Sequence, residues 1–365
     1  MKLTKISLTI LFSLSLFSCK KKTDDKSPTY VTTTKKGATT KKGDTTKKGG
    51  TTTSSGEGDK AYRKVGNNIY FGYYPQTLEI DTAKISSIEE LITPFNGPAD
   101  ATSKGWNKQI DYASNSTREA YYYRDIDLDS DGVNDYRAIH IYKYKNFNTS
   151  QSYDATSLWY HDKDTFSEGN TYYFKYEEIK WEILEEKDGK AYLYSSLALD
   201  AYFYEKSSDE KTDKYSHGGD NGYANNYELS SIRKWLNEDF YNLAFNSTDK
   251  TIINEETVKN GLSSTLDTSN SYVCNNTNDN VYLLSEKELT TYYPTAEGRA
   301  CNSSILSGYS KIQDADYYKV LLRSPDKAYA YNVKYIENEY HPGNIVEGYT
   351  NYALYAIRPV IVITL

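Results

Sequence analysis

Residues 170–204 read NTYYFKYEEIKWEILEEKDGKAYLYSSLALDAYFY. Ile179, Trp181 and Ile183 alternate with polar residues, the period of a strand with one buried face. Asp188-Gly189 is a hairpin turn signal, because both positions tolerate a left-handed backbone. Ala191, Leu193 and the apolar run after them form the return strand. An antiparallel hairpin is therefore expected, and the rest of the chain is read outward from it.

Upstream, NNIYFGYYPQT at 67–77 reads as a strand entering a turn at Pro75. ISSIEELITPF pairs Ser87 with Glu90 at capping-box spacing, so a short helix broken by Pro94 is expected. Residues 96–118 read as a loop. Downstream, ELSSIRKWLNEDFYNLAF is the clearest helix, with Ser230 or Ser231 as its cap. Ile232, Trp235, Leu236, Phe240 and Leu243 fall on one face, which points to core packing. VYLLSEKEL reads as a buried strand followed by a capping box, Ser285 with Glu288. Residues 317–335 and 352–365 read as closing strands. The expected fold class is α+β, antiparallel sheets with short helices.

The chain has 365 residues, 39 of them Tyr. Tyr suits strands and half-wet surfaces. Residues 1–19, MKLTKISLTILFSLSLFSC, carry Lys2 and Lys5, then an apolar run from Ile6 to Phe17. That run has the length of a signal-peptide core and is too short to span a bilayer. It ends at Cys19, with Leu16 and Ser18 before it, and resembles a bacterial lipobox; Phe17 departs from the small residue usual there. Lipidation of Cys19 is expected, with acyl chains holding the protein to a membrane of the cell envelope.

Residues 20–60 repeat TTKKG with variations and have almost no apolar residue, so a disordered tether is expected. The tether carries a net +6 and the leader +2, against −7 for the whole chain, so residues 61–365 carry −15. A basic tether suits an anionic membrane surface. The acidic head, read as one domain over 61–365, repels nucleic acid, and DNA or RNA binding is excluded for it. Beyond Cys19 the remaining cysteines are Cys274 and Cys301. Outside the cytoplasm they are a candidate disulfide, with two free thiols as the alternative.

Residues 121–137, YYYRDIDLDSDGVNDYR, space carboxylates in the order of a calcium loop. Asp127, Asp129 and Asp131 take positions one, three and five, Gly132 the sharp turn at six, the Val133 carbonyl position seven and Asp135 position nine. Position twelve is Ala138, and the flanks read as strands rather than helices. The expected arrangement is a hairpin loop stapled by a structural Ca²⁺; the alternative is a Ser130-Asp131-Gly132 turn with solvated carboxylates. CNNTNDN at 274–280 is a weaker oxygen-rich candidate.

Catalytic spacing is missing. His140, His161, His217 and His341 form no metal-binding pair, and no GxSxG is present. His217 lies in a Gly-rich loop that could bind a ligand or merely connect. No catalytic residue is assigned.

YFGYYPQT, YYYRDIDLDSDGVNDYRAI, FKYEEIKWEILEEKDGKAYLYSS, YANNYELSSIRKWLNEDFYNLAF, CNNTNDNVYLLSEKE, LLRSP and IRPVIVI run in order through 62–365. Together they resemble a bacterial family of uncharacterised extracellular domains, for which no activity is implied. LLRSP and IRPV are also similar to the closing section of C-type-lectin-like folds and formylglycine-generating enzymes. That resemblance implies that Arg323 and Arg358 bond backbone carbonyls inside loops. The sugar-binding triplets of C-type lectins are absent, and nothing around Cys274 and Cys301 matches the cysteine pair of the enzymes. Three functions are carried forward: a lipoprotein head that binds an extracellular glycan or protein, an enzyme acting on envelope carbohydrate, and a purely structural envelope component.

Overall fold

The structure is a computed structural model. It describes residues 61–99, 101–111, 118–142, 160–161, 164–165, 169–205, 217, 219–220, 222–300, 319–337, 342–350 and 355–365. The leader, the tether and Cys19 lie outside the described residues. Among the described residues, no helix is long and apolar enough to cross a membrane.

The chain opens with β1 (Arg63–Val65), β2 (Asn68–Leu78), α1 (Thr82–Leu91), β3 (Asn107–Asp111), β4 (Arg118–Ile126) and β5 (Tyr136–Ile141). Then come β6 (Tyr160–His161), β7 (Asp164–Thr165), β8 (Thr171–Lys187), β9 (Lys190–Ser195) and β10 (Asp200–Tyr202). A helical rod follows, made of α2 (Ser231–Trp235), a π turn (Leu236–Phe240) and α3 (Tyr241–Ala244). The remainder is β11 (Glu256–Val258), β12 (Thr277–Asp279), β13 (Val281–Tyr282), α4 (Glu286–Tyr292), α5 (Ala296–Arg299), β14 (Lys319–Pro325), β15 (Asn332–Glu337), β16 (Asn344–Tyr349), β17 (Tyr355–Ile357) and β18 (Val360–Thr364).

The α+β class is observed, with mostly antiparallel sheets and short helices. The expected hairpin is β8–β9, closed by Asp188 at φ +53° and Gly189 at φ +75°. Two positive φ values in a two-residue loop match the twist of the strands they join. β8 is long enough to organise the nine-stranded sheet. Its residues 174–182 pair with β2, while its other edge takes β5 on residues 171–175 and β9 on 181–187, end to end. β18 and β13 extend the sheet beyond β9, and β4 and β3 beyond β5. A second sheet runs β10-β17-β14-β15-β16, with β14 and β17 parallel.

Three local expectations are corrected. β2 runs on through Pro75 rather than turning there, because bulges between Tyr70 and Tyr73 and between Pro75 and Thr77 accommodate residues that cannot hold a regular ladder. The first helix is capped by Asp81, whose carboxylate accepts from the N–H groups of Ala83 and Lys84; Ser87 sits inside the helix and donates to the Ala83 carbonyl. Part of the expected loop at 96–118 is strand β3, paired with β4.

The helical rod packs on one face of the large sheet. Ser230 caps it by accepting from Arg233 N–H. Ile232, Leu236, Phe240 and Ala244 are all buried, a repeat of four rather than 3.6. The π turn explains this: its extra residue per turn keeps the i+4 row from drifting off the sheet. Trp235 and Leu243 sit at the side and are only half-buried. Trp181, at the centre of β8, donates from its ring N–H to the Phe71 carbonyl at 2.8 Å. On the opposite face of β4, β5 and β8, a smaller cluster of Ile88, Ile92, Trp106, Tyr122, Ile126, Ala138 and Tyr173 seats α1.

Candidate functional site

The aspartate loop joins β4 to β5. Asp135 N–H donates to the Ile126 carbonyl at 2.7 Å, and the Asp135 carboxylate accepts from Leu128 N–H at 2.8 Å, so the loop is closed at its base. Inside it, the Asp127 carboxylate accepts from Gly132 N–H at 2.8 Å and from Asp131 N–H at 3.3 Å. Ser130 and Gly132 have φ of +60° and +90°, the sharp turn that the spacing implied.

The result is convergence. One carboxylate oxygen each from Asp127, Asp129 and Asp135 lie within 4.8 Å of one another. Oxygens bound to one Ca²⁺ at 2.3–2.6 Å can be at most about 5 Å apart, so the three fit a single coordination sphere. Among the described residues no Lys or Arg pairs with them. Among the described residues, their mutual repulsion has no ion-paired Lys or Arg to offset it. Asp131 is not part of the convergence; its carboxylate accepts from Val133 N–H at 2.8 Å. Val133 itself is exposed.

Behind the loop stands a charged network that sequence reading missed. Arg137 on β5 makes a two-point contact with Asp125 on β4, at 2.7 and 2.9 Å, and lies 4.6 Å from the Tyr123 ring centre. Tyr176 on β8 donates to the same carboxylate at 2.7 Å. Next to it, the Tyr74 hydroxyl donates to Asp200. Burial drives the Tyr74 hydroxyl pKa well up, and the Asp200 charge adds to this. Every member has a partner, so the network braces the hairpin end that carries the aspartate loop.

Glu79, buried at the end of β2, supports the loop from below. Its carboxylate accepts from Ile80 and Asp81 N–H and from the Tyr136 hydroxyl, each at 3.0 Å, and lies 3.3 Å from Lys175 Nζ. Burial works to raise its pKa, but the Asp81 N–H, the Tyr136 hydroxyl and Lys175 outweigh burial and hold it low. The Tyr136 hydroxyl is pushed up to about 12 by burial, with Glu79 adding to it. A carboxyl held low binds its proton more readily once the chain unfolds. Its stabilisation is therefore present above the ordinary carboxylate range and is lost as pH falls through it. Glu79→Gln is expected to lower stability near neutral pH and to flatten the loss of melting temperature as pH falls from about 5.5 to about 3. Thermal melts of both proteins across that range check this; parallel curves refute it.

Among the described residues, neither His217 nor His140 activates a nucleophile. His217 Nε2 lies 3.0 Å from Glu205, which also accepts from the Ser231 hydroxyl at 3.0 Å. The carboxylate stands in the middle, so the imidazole does not reach the serine as a general base must. His140 stacks on Phe95 with ring centres 4.2 Å apart and contacts the Thr171 hydroxyl through Nδ1, and burial lowers its pKa. His161 and His341 have no described side chain.

The second oxygen-rich stretch is spent internally. Asp279 is held by Arg233 and the Thr277 hydroxyl, both at 2.6 Å, while Asn275 donates to Glu228 and Asn276 accepts from Asn260 N–H. Cys274 carries a free, half-buried thiol whose pKa burial raises. Its expected partner, Cys301, lies outside the described residues.

Arg323 and Arg358 do bond backbone carbonyls. Arg323 donates to the carbonyls of Leu283 and Lys259, to the Asn260 side-chain oxygen at 3.1 Å, and to both oxygens of Glu288. Arg358 donates to the Ser195 carbonyl, pairs with Glu182 at 3.1 Å and lies 3.7 Å from the Tyr194 ring centre.

No curated protein and no solved structure matches this chain. The aspartate loop and most of the large sheet precede Leu197. From Leu197 to Leu365, which takes in the helical rod, Arg323 and the second sheet, the chain matches the model of a domain of unknown function, DUF6273.

Proposed function

We propose that the chain is a cell-envelope lipoprotein, anchored through lipid on Cys19, whose head binds an extracytoplasmic glycan or protein and whose β4–β5 loop is held by a structural calcium ion. The leader, the basic tether and the acidic head support the anchoring. The observation that carries the calcium reading is the convergence of Asp127, Asp129 and Asp135 in a loop already closed by its own backbone bonds. Calcium there would hold the hairpin end from which Asp125 and Arg137 project. Its role is structural: no group positioned for bond breaking adjoins the loop among the described residues.

Asp129 is the cleanest probe. Asp127 and Asp135 also tie the loop together, whereas Asp129 is exposed and accepts only one long bond, 3.3 Å from Asp131 N–H. Millimolar Ca²⁺ is expected to raise the melting temperature of the wild-type protein by mass action on the folded state, and Asp129→Ala to remove most of that rise without lowering the calcium-free value. A wild-type protein indifferent to Ca²⁺, or a variant that responds equally, refutes the calcium site.

A further inference from the structure

Tyr329, Tyr331 and Tyr349 form a row of rings on the outer turn of the second sheet. Tyr329 and Tyr331 stack with centres 5.5 Å apart at 29°, and Tyr331 and Tyr349 with centres 5.9 Å apart at 21°. The outer two are 51% and 42% exposed. Large rings are ordinarily turned inward, and a contiguous exposed apolar patch marks a place of contact.

The backbone beneath the row is fixed. Asn332 N–H donates to the Tyr329 carbonyl at 3.1 Å, and Thr350 N–H to the Tyr331 carbonyl at 2.9 Å. Asp326 accepts from Ala328 and Tyr329 N–H, both at 3.0 Å. The fully buried Asn225 spreads its amide over the carbonyls of Asp326, Tyr329 and Asn332 at 3.4, 3.1 and 2.9 Å. Rings on so constrained a turn lose little freedom when something settles on them.

Charge and register narrow the ligand. Asn332 pairs with Tyr349 and Lys334 with Glu347, so Lys334, Glu347 and Tyr349 share one face of the sheet. Lys334 bridges Glu347 at 3.3 Å and Asp326 at 2.9 Å, setting hydrogen-bonding groups beside the rings. The head is acidic, so an anionic polymer or lipid surface is repelled. A neutral saccharide meets both conditions: the C–H faces of its pyranose rings pack on the exposed parts of the Tyr329 and Tyr349 rings, and its hydroxyls bond to the acid–base pair alongside.

We propose that the Tyr329–Tyr331–Tyr349 row is a binding platform for a neutral oligosaccharide, with Lys334 and Glu347 as its polar rim. This rests on the reading of the head as a ligand-binding domain and names both the ligand class and the surface. The lipidated chain in detergent is titrated by calorimetry with cellohexaose, chitohexaose and mannohexaose, as wild type and as the double variant Tyr329→Ala, Tyr349→Ala. Saturable binding to at least one of the three is expected, weakened about tenfold or more in the double variant, with an unchanged melting temperature and circular dichroism. Equal binding by the two proteins overturns the platform while leaving the head a saccharide binder. Binding of a peptide along the β16 edge, lost on Val346→Pro and kept by the double variant, overturns the saccharide assignment and leaves the head a ligand binder. Failure to bind any of the saccharides or a panel of extracellular-matrix proteins overturns both.

Discussion

Arg323→Leu is expected to cost the head about 3 kcal/mol or more, while Glu288→Gln costs about 1–2 kcal/mol. Arg323 is only 1% exposed at its side chain, whereas Glu288 reaches solvent at 35%. Burial works against the Arg323 charge, and the Glu288 carboxylate more than reverses this, keeping its pKa above the usual value. Removing the guanidinium leaves the carbonyls of Lys259 and Leu283 and the oxygen of Asn260 without their donor in a buried site. Each unsatisfied acceptor costs roughly 1–3 kcal/mol. Removing only the Glu288 charge leaves those three bonds in place, and the amide oxygen of the Glu288→Gln variant can still accept from Ser285 N–H in the capping box. Denaturant unfolding of the two variants checks the order; equal losses would mean that the ion pair, not the carbonyl bonds, holds this region.

Gly72→Ala is expected to be of similar size, about 2–5 kcal/mol. Gly72 has φ +69°, and an added Cβ would lie 2.6 Å from a Phe245 ring carbon and 2.7 Å from the Ala244 carbonyl oxygen. The bulge in β2 puts this glycine where the helical rod ends against the sheet, so the strand cannot take a methyl group without moving the rod. Gly189→Ala separates the two causes. Its φ is +75°, but nothing lies within 4 Å of the added atom, so it bears the backbone strain alone, about 1–2 kcal/mol. If the two substitutions cost the same, close packing at Gly72 contributes nothing.

Both effects depend on residues whose importance was unequally visible in the sequence. The capping box Ser285–Glu288 is legible because its two members lie three positions apart. That Glu288 also holds Arg323 is not, because Lys259, the Leu283–Glu288 segment and Arg323 come from three separate stretches. The same division runs through the candidate metal site. The positions of Asp127, Asp129 and Asp135, and the turn at Gly132, follow from the spacing. The orientation of Asp131 toward Val133 N–H follows from the turn the backbone finally adopts. Asp125 and Arg137 looked like ordinary members of an acidic and aromatic run; only the pairing of β4 with β5 sets them side by side.

Read alone, the residues settle what short-range physics controls: the β8–β9 hairpin from Asp188-Gly189, a rod cap at Ser230 or Ser231, the order of carboxylates in the β4–β5 loop and the α+β class. The packed fold settles how β8 shares one edge between β5 and β9, why the rod needs a π turn, and what each tyrosine is for. Tyr74, Tyr204 and Tyr227 are fully buried while Tyr329 and Tyr349 stand in solvent. A tyrosine has both an apolar ring and a polar hydroxyl and is at home in either place, so only the packing of distant strands and loops around each ring settles which one it takes.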